Sequence, residues 1–458
     1  MAWGVFAPGH LGELTRIVPF EMVDEVLAET GAVQQRLRKL PSRVVVYLLL
    51  AAGLFEGLGY VGVWRKLVAG LGGLAVASPS GTGLWHARVR VGVKPLEALF
   101  DLLRGPACSA LTAGTRWCGL LVAAIDGTVL DVPDTPGNLS RLGRHSSQHG
   151  GAGYPQIRLV ALVACGTRAI IDAVFGPKTA GETTQGLRLT RSLHQGMLVL
   201  LDRGFSGNDF LAAVAATGAD LLARLSAGRR PPMLGHLRDG SYLSLIGGVR
   251  VRIIECEITI ATTTGRHTGI YRLGTTLLDH QRFPALSIVT LYHERWEIET
   301  CYLEIKSTLL GRRVLRSASP ALIAQEIYAL LTIYQTVRIA ISDAAQAASN
   351  IGGGIGSGVG VDPDRASFTI AVQTARDLIA QAANVIADTT IDLVGRIGQQ
   401  VLNNLMPHRR LRVSPRTVKR PLSRYAYKSL RISRTTYKAT LAINILTGQT
   451  TLTRTADP

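Results

Sequence analysis

Two short apolar runs constrain this chain more than any other feature. Leu120-Leu-Val-Ala-Ala-Ile125 ends in Asp126-Gly127-Thr128, and Met197-Leu-Val-Leu-Leu201 ends in Asp202-Arg203-Gly204. Runs this brief, closed by turn residues, suit strands buried on both faces better than helices. Strand and helix textures alternate around them. Gln156 to Cys165, Arg168 to Phe175 and Asp220 to Leu225 read as strands, and Glu182 to His194 and Asn208 to Ala216 as helices. That order predicts an α/β domain, in which functional groups gather at strand ends. An Asp after a strand is ordinarily a cap or turn former, and for either Asp alone that reading stands.

A third element carries charge. Ala285 to Leu291 has the texture of another buried strand and leads into Leu291-Tyr-His-Glu-Arg-Trp-Glu-Ile-Glu-Thr-Cys-Tyr-Leu-Glu-Ile-Lys306. If these residues form one α-helix, a rotation of about 100° per residue puts Arg295, Glu299 and Lys306 within roughly 60° of Tyr292. Glu294, Glu297 and Glu304 point elsewhere. A solvated helix laced with ion pairs would also explain the stretch. Three acids from two strand ends and one helix, in a basic α/β domain, nevertheless suit phosphoryl transfer. Carboxylates are hard oxygen ligands for Mg²⁺, and paired ions activate the attacking oxygen and stabilise the leaving one. Arg295 and Lys306 would then hold phosphates, and Tyr292 would bond a phosphate or stack on a base.

Charge narrows the partner. The 458 residues hold 50 Lys and Arg against 32 Asp and Glu, a formal net charge of +18, which points to a polyanion. The excess is densest in Arg409 to Lys438, which has no acid and interleaves Tyr425, Tyr427 and Tyr437; it reads as a tail that binds phosphate backbone. The five cysteines are scattered without CxxC or zinc spacing, as in a reducing compartment. No signal peptide is visible, and the run Val44 to Phe55 is too short to span a bilayer. A soluble, cytoplasmic protein, nucleoid-associated when bound, is expected.

The spacing Tyr292-x2-Arg295-x3-Glu299-x6-Lys306 resembles the YREK signature of the insertion sequence 4 family of bacterial DDE transposases, without a gap. Ala124-Ile-Asp-Gly-Thr-Val129 and Leu200-Leu-Asp-Arg-Gly-Phe205 look like that family's two Asp motifs. The resemblance implies an RNase H-like catalytic domain with a β-strand insertion, a helical N-terminal domain and a helical, basic C-terminal region. It implies cut-and-paste transposition: nicking of element ends, a hairpin intermediate and strand transfer. Asp126, Asp202 and Glu299 would bind two Mg²⁺ ions, with Mn²⁺ as substitute. Tyr292, Arg295 and Lys306 would hold the strand, and Arg224 matches a DNA-contacting position. Arg203, Arg409, Arg410, Lys419 and Arg420 are further candidates for DNA contact. The partners would be double-stranded DNA, as terminal inverted repeats and target, and a second copy of the chain in a synaptic homodimer. Some members stack a flipped base on a Trp of the insertion; residues 206–290 contain none, leaving either Tyr242, Tyr271 or Phe283 for that role or base flipping handled in another way. A catalytically inactive or domesticated DNA-binding protein and an RNase H-like nuclease are the alternatives.

The expected boundaries follow. Residues 1–112 form a helical domain that either binds DNA ends or caps its neighbour, with helices over Val23 to Arg38, Ser42 to Leu58, Tyr60 to Leu71 and Lys94 to Leu103, and a loop at Ser78 to Gly83. Residues 113–311 form the catalytic domain, with a β insertion at about 227–284 in which the alternation Val249-Arg-Val-Arg-Ile253 predicts cations facing solvent. Residues 312–405 are helical around a Gly-rich linker at 351–361, and 406–458 are the basic tail.

Overall fold

The computed structural model describes residues 9–36, 38–72, 74–143, 153–262, 265–351, 361–381, 395–407, 439–446 and 451–456. The chain forms two compact units, Met1–Ser192 with Glu297–Met406 and Leu193–Trp296 with Pro407–Pro458.

The first unit opens with five helices: α1 (Phe20–Glu29), α2 (Ser42–Leu54), α3 (Tyr60–Val68), α4 (Gly81–Val91) and α5 (Lys94–Leu103). Nearly every side chain of α2 is buried, because it packs against α1, α3, α4 and the long C-terminal helix α11 (Pro320–Ile351). Gly53 permits the α11 approach, since a Cβ there would lie 2.7 Å from Ile333 Cγ2. Helix α4 begins inside the stretch expected to be a loop. Ser80 caps it by accepting from Gly83 N at 3.1 Å, and the glycines of its first turn disguise the helix in sequence.

The sheet of this unit is an antiparallel meander. The short β1 (Arg116–Trp117) pairs with β2 (Leu120–Asp131), then comes α6 (Pro136–Leu142), and β2 pairs with β3 (Gln156–Ala164), which pairs with β4 (Ile170–Pro177). Contrary to expectation, β2 does not end in a turn at Asp126-Gly127. The ladder continues in register through Asp126↔Ala161 and Gly127↔Val160. Helix α7 (Glu182–Leu187) follows β4. The 3₁₀ turn after it (Arg188–Ser192) is tied back through the fully buried carboxylate of Asp172, which accepts from Arg104 at 2.7 Å and Arg191 at 2.8 Å. Burial alone would raise the pKa of Asp172, but bonds from Arg191 and Ser192 hold it below the ordinary carboxylate value. A depressed pKa contributes stability above the unfolded carboxylate range, and that contribution is lost as pH falls through the folded value.

In the second unit, β5 (Met197–Leu201), α8 (Asn208–Ala216) and β6 (Asp220–Arg224) form a parallel β-α-β pair. After the short β7 (Gly235–His236) and β8 (Tyr242–Ile246), the long strands β9 (Val249–Thr262) and β10 (Gly265–Thr275) continue the sheet antiparallel to β6. An antiparallel meander followed by a parallel pair joined through a helix defines a mixed α/β, RNase H-like fold with a β insertion.

Three expectations are corrected in this unit. Ala285–Leu291 is helix α9 rather than a strand; a seven-residue apolar run does not separate the two by pattern, and Pro284 at the N-cap selects the helix. Arg252 does not face solvent. It is fully buried, ion-paired with Asp239, and donates to Ser241 Oγ at 2.7 Å and Phe283 O at 2.6 Å. Asp239 also accepts from Ala285 N at 2.9 Å, so this pair sets where α9 starts. Finally, β11 (Ala439–Ile445) adds to β9 and β12 (Thr451–Ala456) to β11, so sheet follows the basic block.

Beyond α9 the chain runs through a 3₁₀ turn (Tyr292–Arg295), helix α10 (Trp296–Leu303) and a π turn (Glu304–Leu309) rather than one α-helix. In the first unit, α10 and its π extension are held by a buried ion cluster. Arg168 donates to Glu297 at 2.6 Å, to Glu304 at 3.2 Å and to Asp364, while Arg338 pairs with Glu304. Helices α12 (Phe368–Ala380) and α13 (Gly395–Leu402) pack on α11 around it. Removing the shared cation leaves buried carboxylates without their partner, which costs about 3–5 kcal/mol. Arg168→Met should therefore lower the unfolding free energy by about that much in a urea titration; a loss under about 1 kcal/mol contradicts the cluster's role.

Candidate active site

The sequence-derived residues fall into two groups, one in each unit. In the first, Asp126 lies in the middle of β2, half-buried, its Oδ1 accepting from Gly127 N at 2.8 Å. Glu299 lies one turn before Tyr302 on α10 and is also half-buried. Tyr302 fixes helix to strand: its hydroxyl donates to Asp126 O at 2.6 Å and accepts from Ala161 N at 3.1 Å. Burial pushes the Tyr302 phenol well above its ordinary pKa, with the charge on Asp126 adding to the effect, so it remains a neutral donor. Lys306 adds a second tie from the π turn, Nζ to Thr128 Oγ1 at 3.3 Å. Tyr302 and Lys306 thus bond β2, while Glu297 and Glu304 enter the Arg168 cluster.

One residue was not singled out from the sequence. Glu182, at the start of α7, packs so closely on β2 that a Cβ at Gly127 would collide with its Oε1. Its charge also acts on Tyr302. A second carboxylate therefore stands beside the Asp126 strand, and the reason for glycine after Asp126 is space for Glu182. The available signal was Gly127 directly after the acid, together with a helix-initiating Glu after β4.

In the second unit, Asp202 follows β5 and caps the 3₁₀ turn Arg203–Phe205, accepting from Gly204 N at 2.6 Å. Tyr292 donates to Leu201 O at 3.0 Å. Its phenol is pushed up to about 12 by burial, opposed by Arg295 and Arg224 and reinforced by Asp202, so these four side chains form one electrostatic group. Arg224 stacks over Tyr271 with its guanidinium 4.3 Å from the ring centre, and Arg295 lies 5.4 Å from the ring of Trp296. Arg203 is exposed. Of the aromatic residues considered for base stacking, Tyr242 and Phe283 are buried, and Tyr271 is half-buried beneath Arg224. Arg409, Arg410, Lys419 and Arg420 lie outside the described residues. Among the described residues no three His, Cys, Asp or Glu side chains are grouped as a metal-holding cluster.

Two family models match the chain, insertion element 4 transposase N-terminal over residues 8–101 and transposase DDE domain over residues 117–335. The transposase InsG for insertion sequence element IS4 of Escherichia coli (strain K12) is 29% identical over 328 residues, covering 69% of this chain and 74% of that protein. The putative transposase InsZ of the same strain is 26% identical over 207 residues, 44% of this chain and 67% of its own length. A cryo-EM structure of the piggyBac transposase synaptic complex with hairpin DNA aligns with 86% of this chain and 84% of its own at 12% identity, with a TM-score of 0.40. The chain belongs to the insertion sequence 4 family of DDE transposases, enzymes that cleave and join DNA strands. No described helix is long and apolar enough to cross a membrane.

Because Tyr302 positions the helix through its hydroxyl, Tyr302→Phe should cost about 1–3 kcal/mol of stability and slow strand cleavage by about ten- to a hundredfold through misplacement of Glu299. Cleavage at the wild-type rate in this variant, measured on the element's own ends, would remove Tyr302 from the positioning role.

Proposed function

We propose that the chain moves an insertion sequence by cut-and-paste transposition, with Asp126, Asp202 and Glu299 as the acidic triad. The observation that carries this reading is the double attachment of the Glu299 helix to the Asp126 strand, through Tyr302 and Lys306. Asp126 and Glu299, far apart in sequence, are carried by the two elements so joined, which supports the reading.

The donor chemistry fits divalent metal ions. The triad consists of half-exposed carboxylates, hard oxygen ligands of the kind Mg²⁺ and Mn²⁺ take. Asp126, Asp202 and Glu299 would hold two ions, with Glu182 a further carboxylate beside Asp126. When bound, such ions lower the pKa of the attacking water or 3′-hydroxyl and offset charge on the leaving oxygen.

The chain's own cations deal with the rest of the substrate. Lys306, held near β2 by Thr128, offers its ammonium to a phosphate flanking the scissile bond. Arg295 and Arg224 act with Tyr292 on the Asp202 side, where a phenol that keeps its proton to about pH 12 serves as a donor and not as a base. The same groups would hold the strand during hairpin formation and strand transfer. Two copies of the chain, each with one site, would process the two ends of the element. The net charge of +18 supports a duplex as substrate.

With DNA carrying the element's terminal repeats and Mn²⁺, wild-type protein should nick the ends, and Asp126→Asn and Glu299→Gln should reduce the rate by at least about a thousandfold. Lys306→Ala should weaken DNA engagement while Mn²⁺ binding, read by calorimetry, is retained. Wild-type rates in both acid variants would overturn the assignment, and salt-dependent binding with no cleavage in any metal would favour an inactive DNA-binding protein.

A further inference from the structure

The first unit contains a groove of about 500 Å³ that the proposed chemistry does not use. It is lined by the α2–α3 turn, by α4 and by the segment after the π turn, including Gly57, Tyr60, Trp85, Arg88, Arg313 and Arg316. Its charge is incompletely balanced. Arg316 pairs with Glu326 at 3.5 Å, and Glu56 pairs with Arg376. Arg88 is only 4% exposed, yet its guanidinium donates to neutral groups, Ser317 Oγ at 2.7 Å and Gln325 Oε1 at 3.2 Å, and lies 4.0 Å from the centre of the Tyr60 ring. Glu326 acts on it only through space, and burial pulls its pKa down. A buried cation without a carboxylate at bonding distance is costly, and an anion entering the groove offsets that cost.

Two more features define the anion. Arg313 is exposed and has no ion pair with any described residue. Gly81, the first residue of the eleven-residue helix α4, lines the groove, and the first turn carries no acid, so the amides that Ser80 does not cap favour negative charge. Trp85 is 49% exposed, unusual for so large an apolar ring. Its indole N–H has no partner among the described residues, and its one ring contact is an edge contact with His86 at 4.8 Å. Phosphate-binding groups beside an accessible indole match a nucleotide whose base is out of the helix stack.

We propose that this groove binds an unpaired nucleotide of the DNA substrate, with its phosphate at Arg88, Arg313 and the start of α4 and its base against Trp85. The assignment rests on the reading of DNA as substrate. It gives the N-terminal helices a part in handling a strand that has left the duplex, close along the chain to Lys306.

The test uses full-length protein and two otherwise identical duplexes, one blunt and one ending in a few unpaired nucleotides that include 2-aminopurine. Wild type should bind the second duplex more tightly and quench its fluorescence. Trp85→Ala and Arg313→Gln, both at exposed positions, should reduce that preference about tenfold with blunt-duplex affinity unchanged, and Trp85→Phe should restore most of it. Full preference and quenching in both variants would overturn the assignment, as would equal wild-type affinity for the two duplexes. Preference without metal-dependent cleavage would retain the groove and reject the transposase reading; cleavage without preference would do the reverse.

Discussion

The guanidinium of Arg168 decides how the helix that carries Glu299 is turned. It gathers Glu297, Glu304 and Asp364 in the interior of the first unit, with Arg338 closing the cluster on Glu304. Disrupting such a buried set costs about 3–5 kcal/mol, a large part of the 5–15 kcal/mol that stabilises a typical domain. A helix rotated to bring Glu299 inward would break it. The backbone also bears a cost: Arg168 has φ of +58° in the turn between β3 and β4, a left-handed conformation unfavourable to a residue with a side chain. Because the cluster turns Glu297 and Glu304 inward, Tyr302 and Lys306 are left to bond β2.

The same logic of fixed entry points operates in the second unit. Arg252 and Asp239 set the start of α9, and the 3₁₀ turn that follows places the Tyr292 hydroxyl on the last carbonyl of β5, one residue before Asp202. Asp126 and Asp202 are thus each next to a tyrosine whose hydroxyl bonds backbone. Both phenols stay protonated, so they serve as rigid struts rather than titrating groups. The π turn at Glu304–Leu309 changes the rotation per residue just where Lys306 must reach Thr128, a use of irregular helix common at functional sites.

Much of this was legible in the sequence. Met197–Leu201 and Asn208–Ala216 have the bounds that their apolar runs and turn residues predict, and the placement of Asp202 after a strand holds. What was hidden depends on contacts between distant residues. Pattern alone suggested a turn at Asp126-Gly127, whereas the ladder with β3 runs through it and Glu182 occupies the missing side-chain space. The alternation in β9 suggested solvent-facing cations, yet Arg252 is buried because Asp239 and Phe283 meet it there. Uniform rotation from Tyr292 to Lys306 assumed one helix type where the chain uses three. The Arg168 cluster left no local trace at all, since its members lie at positions 168, 297, 304, 338 and 364 and only tertiary packing unites them.

In the proposed mechanism the acids at positions 126, 202 and 299 share bound metal, and Fe²⁺-directed backbone cleavage tests that directly. With Fe²⁺ in place of Mg²⁺ and hydroxyl radicals generated at the ion, the full-length chain should be cut near Asp126, Asp202 and Glu299, and added Mg²⁺ should suppress the cuts. Cleavage confined to other segments, or none that Mg²⁺ suppresses, contradicts the account.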